Sequence, residues 1–167
     1  LSGKHQERLA DLSGVSLPIT ATAGGQSFSN FLLVTHRGLS GPAILQVSSY
    51  WQPGDALQLD LLPGQAALDV LLELQCSRPA SELRTLLGEL LPKRFAQRLC
   101  EAWLAHLQPS RPIRQFNLPQ LREVAATLEH WPLVATGTEG YRTAEVTLGG
   151  VDTDGVSSST MQSRHVP

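Results

Sequence analysis

Residues 14–34 read GVSLPITATAGGQSFSNFLLV, and this stretch decides the fold. Both halves are rich in the Thr, Val, Ile and Phe residues that favour strands, and Gly24 and Gly25 divide them. Glycine tolerates the positive φ that a two-residue hairpin turn requires. The stretch therefore predicts a β-hairpin, so the protein contains antiparallel sheet.

More strands and one helix are predicted around this hairpin. Ser40 is a polar cap candidate and Pro42 fits a first turn, so a helix of about three turns should begin there. Residues 56–62, ALQLDLL, alternate apolar and polar side chains as a half-buried strand does. Two β-prone runs follow late in the chain, WPLVAT at 131–136 and RTAEVTL at 142–148.

Between these strands the periodicity of the sequence becomes helical. The clearest apolar stripe has the spacing i, i+3, i+4, i+7, i+8 and consists of Leu83, Leu86, Leu87, Leu90 and Leu91. Asn117 is a helix-cap candidate before a further apolar stripe. The pattern predicts three or four helices that bury their stripes against one another. The alternative is an autonomous interaction domain in which the stripes bind a protein partner.

These patterns together predict an α+β fold. A β-rich sheet or small barrel subdomain comprises residues 1–64 and 131–156. An inserted subdomain of three to four helices, residues 65–130, interrupts it. Residues 157–167 form a C-terminal segment that leads out of the sheet region.

Composition excludes several classes of partner. The chain has 167 residues and a net charge of −2, and its 13 Lys and Arg residues are spread along the sequence. We therefore expect neither nucleic acid nor a membrane as a partner. The first residues lack the apolar core of a secretory signal, which favours a cytoplasmic location. Cys76 and Cys100 are expected to be buried free thiols.

No complete catalytic motif is found in the sequence. It contains no dinucleotide-binding glycine pattern, P-loop, metalloprotease motif or nucleophile elbow, and it has no set of metal ligands. His36 and Ser40 lack the third, orienting carboxylate of a hydrolase site. Asp152 and Asp154 lack the later Glu of a calcium loop. We therefore expect no metal site.

One glycine-centred motif spans residues 34–46, VTHRGLSGPAILQ. The turn containing Gly38, Ser40 and Gly41 places backbone N–H groups at a helix start, where they could hold an anionic substrate group. Alternatively, it is only a well-made helix start. His36 could donate a proton because its unperturbed pKa lies near neutrality, although a single His beside a glycine turn is often structural.

A second motif, AEVTLGGV at residues 144–151, is followed by TMQSR at 160–164. Consecutive glycines let the backbone approach a flat ligand closely, and an adjacent Thr can hydrogen-bond a heteroatom. The alternative is a strand that ends in a Gly-Gly turn.

The order and spacing of these motifs resemble those of the YhiN-like (BaiN-like) bacterial NAD(P)/FAD-dependent oxidoreductases. The resemblance covers nearly the whole chain and implies a fragment, the insert domain, without the two halves of the FAD-binding domain. It also implies that the C-terminal segment, residues 157–167, leads back to that absent domain. That missing domain is then the main partner, alongside a small-molecule substrate. The implied role is to cover the flavin and shape the substrate pocket, with no activity of the fragment alone.

The resemblance also implies where the cofactor would lie. FAD would be bound in the full-length protein and not by this fragment, near a stretch that comprises Thr147, Gly149, Gly150 and Val151. Leu148 departs from the small residue common at that position. On the substrate side, the turn of Gly38, Ser40 and Gly41 could also contact a flavin carbonyl.

Overall fold

The computed structural model describes residue 1 and residues 3–165, without the side chains of Lys4 and Ala10. One five-stranded antiparallel sheet has the order β3-β2-β1-β4-β5. Its strands are β1 (Ser16–Ala23), β2 (Gln26–Val34), β3 (Leu39–Ser40), β4 (Ala56–Asp60) and β5 (Trp131–Val134). The helices are α1 (Gly3–Leu9), α2 (Pro42–Ser48), α3 (Ala67–Ser77), α4 (Leu83–Leu90), α5 (Lys93–Ala102) and α6 (Leu118–Glu129). The predicted α+β class is confirmed.

The predicted hairpin is confirmed as β1 and β2. The pairing runs from Ser16 opposite Leu33 to Ala23 opposite Gln26. Gly24 and Gly25 form the turn with φ of 56° and 74°, the left-handed backbone that a tight hairpin needs. Alternate residues of β1 are buried, so one face of the sheet packs on the core and the other faces outward.

The helix start after the hairpin differs from the prediction. Ser40 belongs to β3, where it pairs with Leu33, and it does not cap a helix. Gly41 occupies the cap position without a side-chain bond, and the helix that follows has seven residues rather than three turns. The short β3 strand uses the backbone of Ser40 for sheet pairing and thereby moves the helix start by one residue.

Four helices, α3–α6, fill the predicted 65–130 region. Asn117 caps α6 as expected: its side chain accepts from the Gln120 amide while the Gln120 side chain accepts from the Asn117 amide. The stripe on α4 is buried at Leu83, Leu86 and Leu87. Its burial removes the support for an apolar docking groove on these helices.

A continuous hydrophobic core joins the helices to the sheet. Trp131 at the start of β5 is fully buried and packs edge-on against Phe95 and Trp103 of the helical region. The predicted division at residues 64/65 and 130/131 stays a prediction. The final two positions of the predicted 157–167 segment, 166 and 167, lie outside the described residues.

Two further predictions are wrong. Residues 142–148 form no strand, because no neighbouring strand supplies backbone partners and their side chains are exposed. Cys76 is exposed near the end of α3, whereas Cys100 is buried, and both are free thiols. Within the described residues, no helix has both the length and the apolar character needed to cross a membrane.

Candidate functional site

The loop of the first motif is closed by its own hydrogen bonds. The Thr35 amide donates to the Gly38 carbonyl over 2.8 Å, and the Gly38 amide donates to the Thr35 hydroxyl over 3.1 Å. The Arg37 amide donates to the same hydroxyl over 3.3 Å. The Gly38 amide is therefore engaged within the loop, which differs from our expectation of free N–H groups in this turn.

Close packing against the backbone of β2 explains why position 41 is a glycine. Its φ of 94° and ψ of 161° lie in a region that is essentially restricted to glycine. A Cβ at this position would lie 2.7 Å from the Phe31 carbonyl oxygen and 2.8 Å from the Leu33 amide nitrogen. The start of α2 is thus pressed against β2. For Gly41 and Ser40 the observed contacts favour the structural alternative.

A cavity of about 370 Å³ nevertheless opens beside this loop. Its lining consists of the side chains and backbone of Leu1, Gln6, Glu7, Leu9, Thr35, His36 and Gly38. The fold brings two of the predicted residues, His36 and Gly38, to one cavity and adds the carboxylate of Glu7 from α1. An imidazole and a carboxylate at one cavity can exchange protons with a bound molecule.

Contacts with the rest of the chain fix this region. Arg37 forms an ion pair with Glu139, with 2.8 Å between Nη1 and Oε2. The imidazole Nδ1 of His5 accepts from the Val134 amide over 3.3 Å, so α1 lies along the outer edge of β5. The Thr136 hydroxyl donates to the Leu1 carbonyl. The N-terminal helix, which supplies part of the cavity lining, is therefore tied to β5 and to the chain that leaves it.

The second motif lies elsewhere. Thr147, Gly149, Gly150 and Val151 are exposed, belong to no strand and do not line the cavity. The backbone at Gly149 has a φ of 83°, and a Cβ at Gly149 or Gly150 would meet no atom within 4 Å. The two predicted groups of site residues are not brought together within the described residues.

Three apolar side chains of the same stretch are also exposed. Val146, Leu148 and Val151 have exposed fractions of 41%, 61% and 79%. Their backbone is equally open, so a flat ligand or another protein surface could approach the glycines without displacing a described atom. The residues present are thus compatible with a cofactor held between this stretch and a further domain.

The sequence prediction missed a second, polar cavity of about 410 Å³ on the outer face of the sheet. Its lining consists of Thr20, Thr22, Gln58, Asp60, Gln65, Glu129 and His130. The alternation of Thr in β1 and of Gln and Asp in β4 was the available signal. Both carboxylates in this lining accept hydrogen bonds from the backbone: Asp60 accepts from the Leu62 amide, and Glu129 accepts from the Ala67 amide.

Neither cavity has the ligands of a metal centre. Among the described residues no group of three or more His, Cys, Asp or Glu side chains is arranged to hold an ion. Cys100 is no candidate nucleophile, because burial raises the pKa of its thiol to about 11 and keeps it protonated near neutrality.

Comparison with known proteins identifies relatives over nearly the whole chain. The chain is 45% identical over 160 residues to a protein of Haemophilus influenzae and 46% identical over 162 residues to one of Escherichia coli, each named Ribosomal RNA dihydrouridine synthase. These alignments cover 95% and 96% of this chain but only 39% and 40% of the relatives. The chain therefore spans about two fifths of their length.

A family model also matches residues 2–146. Its description, "HI0933-like protein barrel and H2TH domain", agrees with a curved antiparallel sheet followed by a helical region. Because the match includes most of the chain, the protein belongs to the HI0933-like family through its barrel and H2TH domain.

Proposed function

We propose that this chain is the insert domain of an FAD-dependent oxidoreductase that reduces uracil bases in ribosomal RNA. The observation that carries the proposal is the identity of 45–46% with proteins named Ribosomal RNA dihydrouridine synthase. Dihydrouridine is uridine with its C5–C6 double bond reduced, so its formation needs a hydride and a proton. That requirement agrees with the resemblance of both sequence motifs to flavin-dependent oxidoreductases.

In this proposal the domain covers the flavin and shapes the substrate pocket. The stretch with Thr147, Gly149, Gly150 and Val151 would hold the flavin ring from this side, since its backbone is open to approach. After a nicotinamide cofactor has reduced it, the FAD would supply the hydride, and this chain would orient the base and exclude water. The fragment alone would be inactive and would bind no flavin.

The cavity beside the first motif would serve the substrate. His36 lies there with Glu7, and an imidazole at the cavity can hold the proton that the reduced carbon must receive. The ion pair between Arg37 and Glu139 would tie this loop to the chain that runs on toward the flavin-side stretch. His36 is therefore the proposed proton donor.

The proposal of an RNA substrate departs from our expectation that nucleic acid is not a partner. That expectation rested on the net charge of −2 for the whole chain and on basic residues spread along the sequence. Net charge is a poor guide when basic and acidic residues occupy different parts of a protein, because phosphate contacts depend on the local charge.

The test uses the full-length protein and its His36→Ala variant. The full-length protein should show visible flavin absorbance. With NADH or NADPH as the electron donor, it should convert uridine to dihydrouridine in ribosomal RNA from a strain that lacks the gene, as detected by mass spectrometry. The variant should retain flavin but lose about 100-fold or more in rate, the range for removal of a general acid. A colourless full-length protein would contradict the oxidoreductase proposal. A flavin-loaded protein that leaves uridine unchanged would contradict the substrate.

A further inference from the structure

Two loops of the helical region are hydrogen-bonded to each other and together form what we call the arginine seam, residues 78–84 and 109–114. The segments run antiparallel, with an isolated bridge between Glu82 and Pro112. Four backbone hydrogen bonds of 2.8–3.4 Å join them: Arg114 to Pro79, Ile113 to Ser81, Leu83 to Arg111 and Arg84 to Pro109. The pairing brings together parts of the chain that lie about 30 residues apart.

The seam carries four arginines, of which two lack a carboxylate partner. Arg78 pairs with Glu89, and Arg84 pairs with Glu82. Neither Arg111 nor Arg114 forms an ion pair with any described carboxylate. Arg114 is exposed, and its backbone is fixed by the hydrogen bond to Pro79. The seam therefore presents positive charge that the protein itself does not neutralise.

Arg111 is held in one orientation. Its guanidinium lies 4.1 Å above the centre of the Phe116 ring, and Nη2 donates to the Gln120 side chain over 2.9 Å. Its Nε is buried and has no hydrogen-bond partner. A guanidinium carries five N–H donors. Because Nε is buried and Nη2 already donates to Gln120, the donors left for a ligand on this rigid cation are those of Nη1 and the second N–H of Nη2.

Charge around the seam differs from charge in the rest of the chain. Residues 78–114 contain seven Lys or Arg and three Glu, a net charge of +4. The remaining residues contain six Lys or Arg and twelve Asp or Glu, a net charge of −6. Seven of the 13 basic residues thus lie in α4, α5 and the loops of the seam. Two of them, Arg94 and Arg98 on α5, contact Asp11 from outside this range, so the unneutralised charge is that of the seam arginines.

We propose that the arginine seam binds the phosphate backbone of the RNA substrate, with Arg111 and Arg114 as phosphate contacts. The proposal rests on the proposed function for its ligand and adds the surface that holds it. Arginine suits the role because its planar fork matches phosphate geometry and because phosphate contacts carry most of the affinity for RNA. The negative remainder of the chain directs an anionic polymer toward this side.

The experiment measures binding of a ribosomal RNA fragment to the full-length protein at several salt concentrations. Arg114→Gln and Arg111→Gln should each weaken binding and reduce the slope of log affinity against log salt by about 0.7–0.9, the value for one lost phosphate contact. Arg122→Gln is the matched control, since Arg122 is exposed on α6 outside the seam. Flavin content and thermal midpoint establish that each variant is folded.

The outcomes separate this proposal from the one on which it rests. If the wild-type protein reduces uridine in RNA while the Arg114 and control variants have the same salt slope, the seam is not the binding surface. If the wild-type protein neither reduces uridine nor binds RNA, the proposed substrate fails, and the seam proposal fails with it. The proposal is supported if Arg111→Gln and Arg114→Gln both reduce the slope and Arg122→Gln does not.

Discussion

The ring of Phe95 on α5 meets the ring of Trp131 on β5 edge-on, with 5.3 Å between the centroids and an angle of 87° between the planes. Both side chains are almost completely buried. The pair joins the helical region to the sheet, so the two regions share one core. Edge-to-face aromatic pairs contribute about 0.5–1.5 kcal/mol beyond the burial of their area.

Removal of this contact should destabilise the whole chain. Phe95→Ala is expected to lower the free energy of unfolding by about 3–5 kcal/mol, through lost burial and the cavity left behind. Urea denaturation followed by tryptophan fluorescence measures the loss. Leu118→Ala, at a position 44% exposed on α6, is the control and should cost much less. Similar losses for the two variants would contradict a shared core at Phe95.

Gly41→Ala should be more damaging than Gly25→Ala, the hairpin-turn position at which a Cβ would meet no atom within 4 Å. Gly25→Ala places a Cβ in open space on a backbone that is already left-handed, and it should cost about 1–2 kcal/mol. Gly41→Ala adds a collision with the carbonyl of Phe31, so its loss should exceed that of Gly25→Ala. Thermal denaturation of both variants compares them. Equal midpoints would show that α2 is not pressed against β2.

The cap of α6 should contribute measurably to stability. Asn117→Ala removes the acceptor of the Gln120 amide and should cost about 1 kcal/mol. Gln115→Ala, an exposed position just before the cap, should leave the midpoint of urea denaturation nearly unchanged. If both variants unfold at the wild-type midpoint, the capping box carries no stability in solution.

The two cysteines should differ in reactivity and in their effect on stability at alkaline pH. Cys76 should react with a thiol reagent in the native protein, whereas Cys100 should react only after unfolding. Burial raises the pKa of Cys100 from 9.0 to about 11 in the folded state. The unfolded thiol therefore ionises first, and stability should fall as pH rises from about 9 to about 11.

A Cys100→Ala variant isolates this effect. Without the Cys100 thiol, the stability of this variant should fall less between pH 9 and pH 11 than that of the wild type. A Cys76→Ala variant should show the same fall as the wild type. Urea denaturation at pH values on either side of 9 measures the difference. An identical pH dependence for wild type and Cys100→Ala would contradict the inferred pKa.

Local signals in the sequence predicted local structure well. The Gly24-Gly25 pair, the Asn117 cap and the leucine stripe of α4 each act over a few residues, and each is found where the pattern placed it. The prediction of a strand at residues 142–148 was wrong for a different reason. Strand-forming residues need a neighbouring strand, and β-propensity alone does not supply one.

The candidate site was harder to predict because it is assembled across long stretches of chain. The motif at 34–46 pointed to His36 and Gly38, but nothing in the sequence indicated that Glu7 would share their cavity. The seam arginines likewise become neighbours only when residues 78–84 and 109–114 pair. Spacing along the sequence carries no information on such contacts.

The separation of charge between residues 78–114 and the remainder has a consequence for how this part of the protein approaches a charged partner. A body with +4 in one part and −6 in the rest has a permanent electric dipole. In the field of any polyanion it experiences a torque before contact, and this torque turns α4 and α5 toward the source. At physiological ionic strength the field decays over about 8 Å, so the molecule acquires its orientation only in the last steps of an encounter.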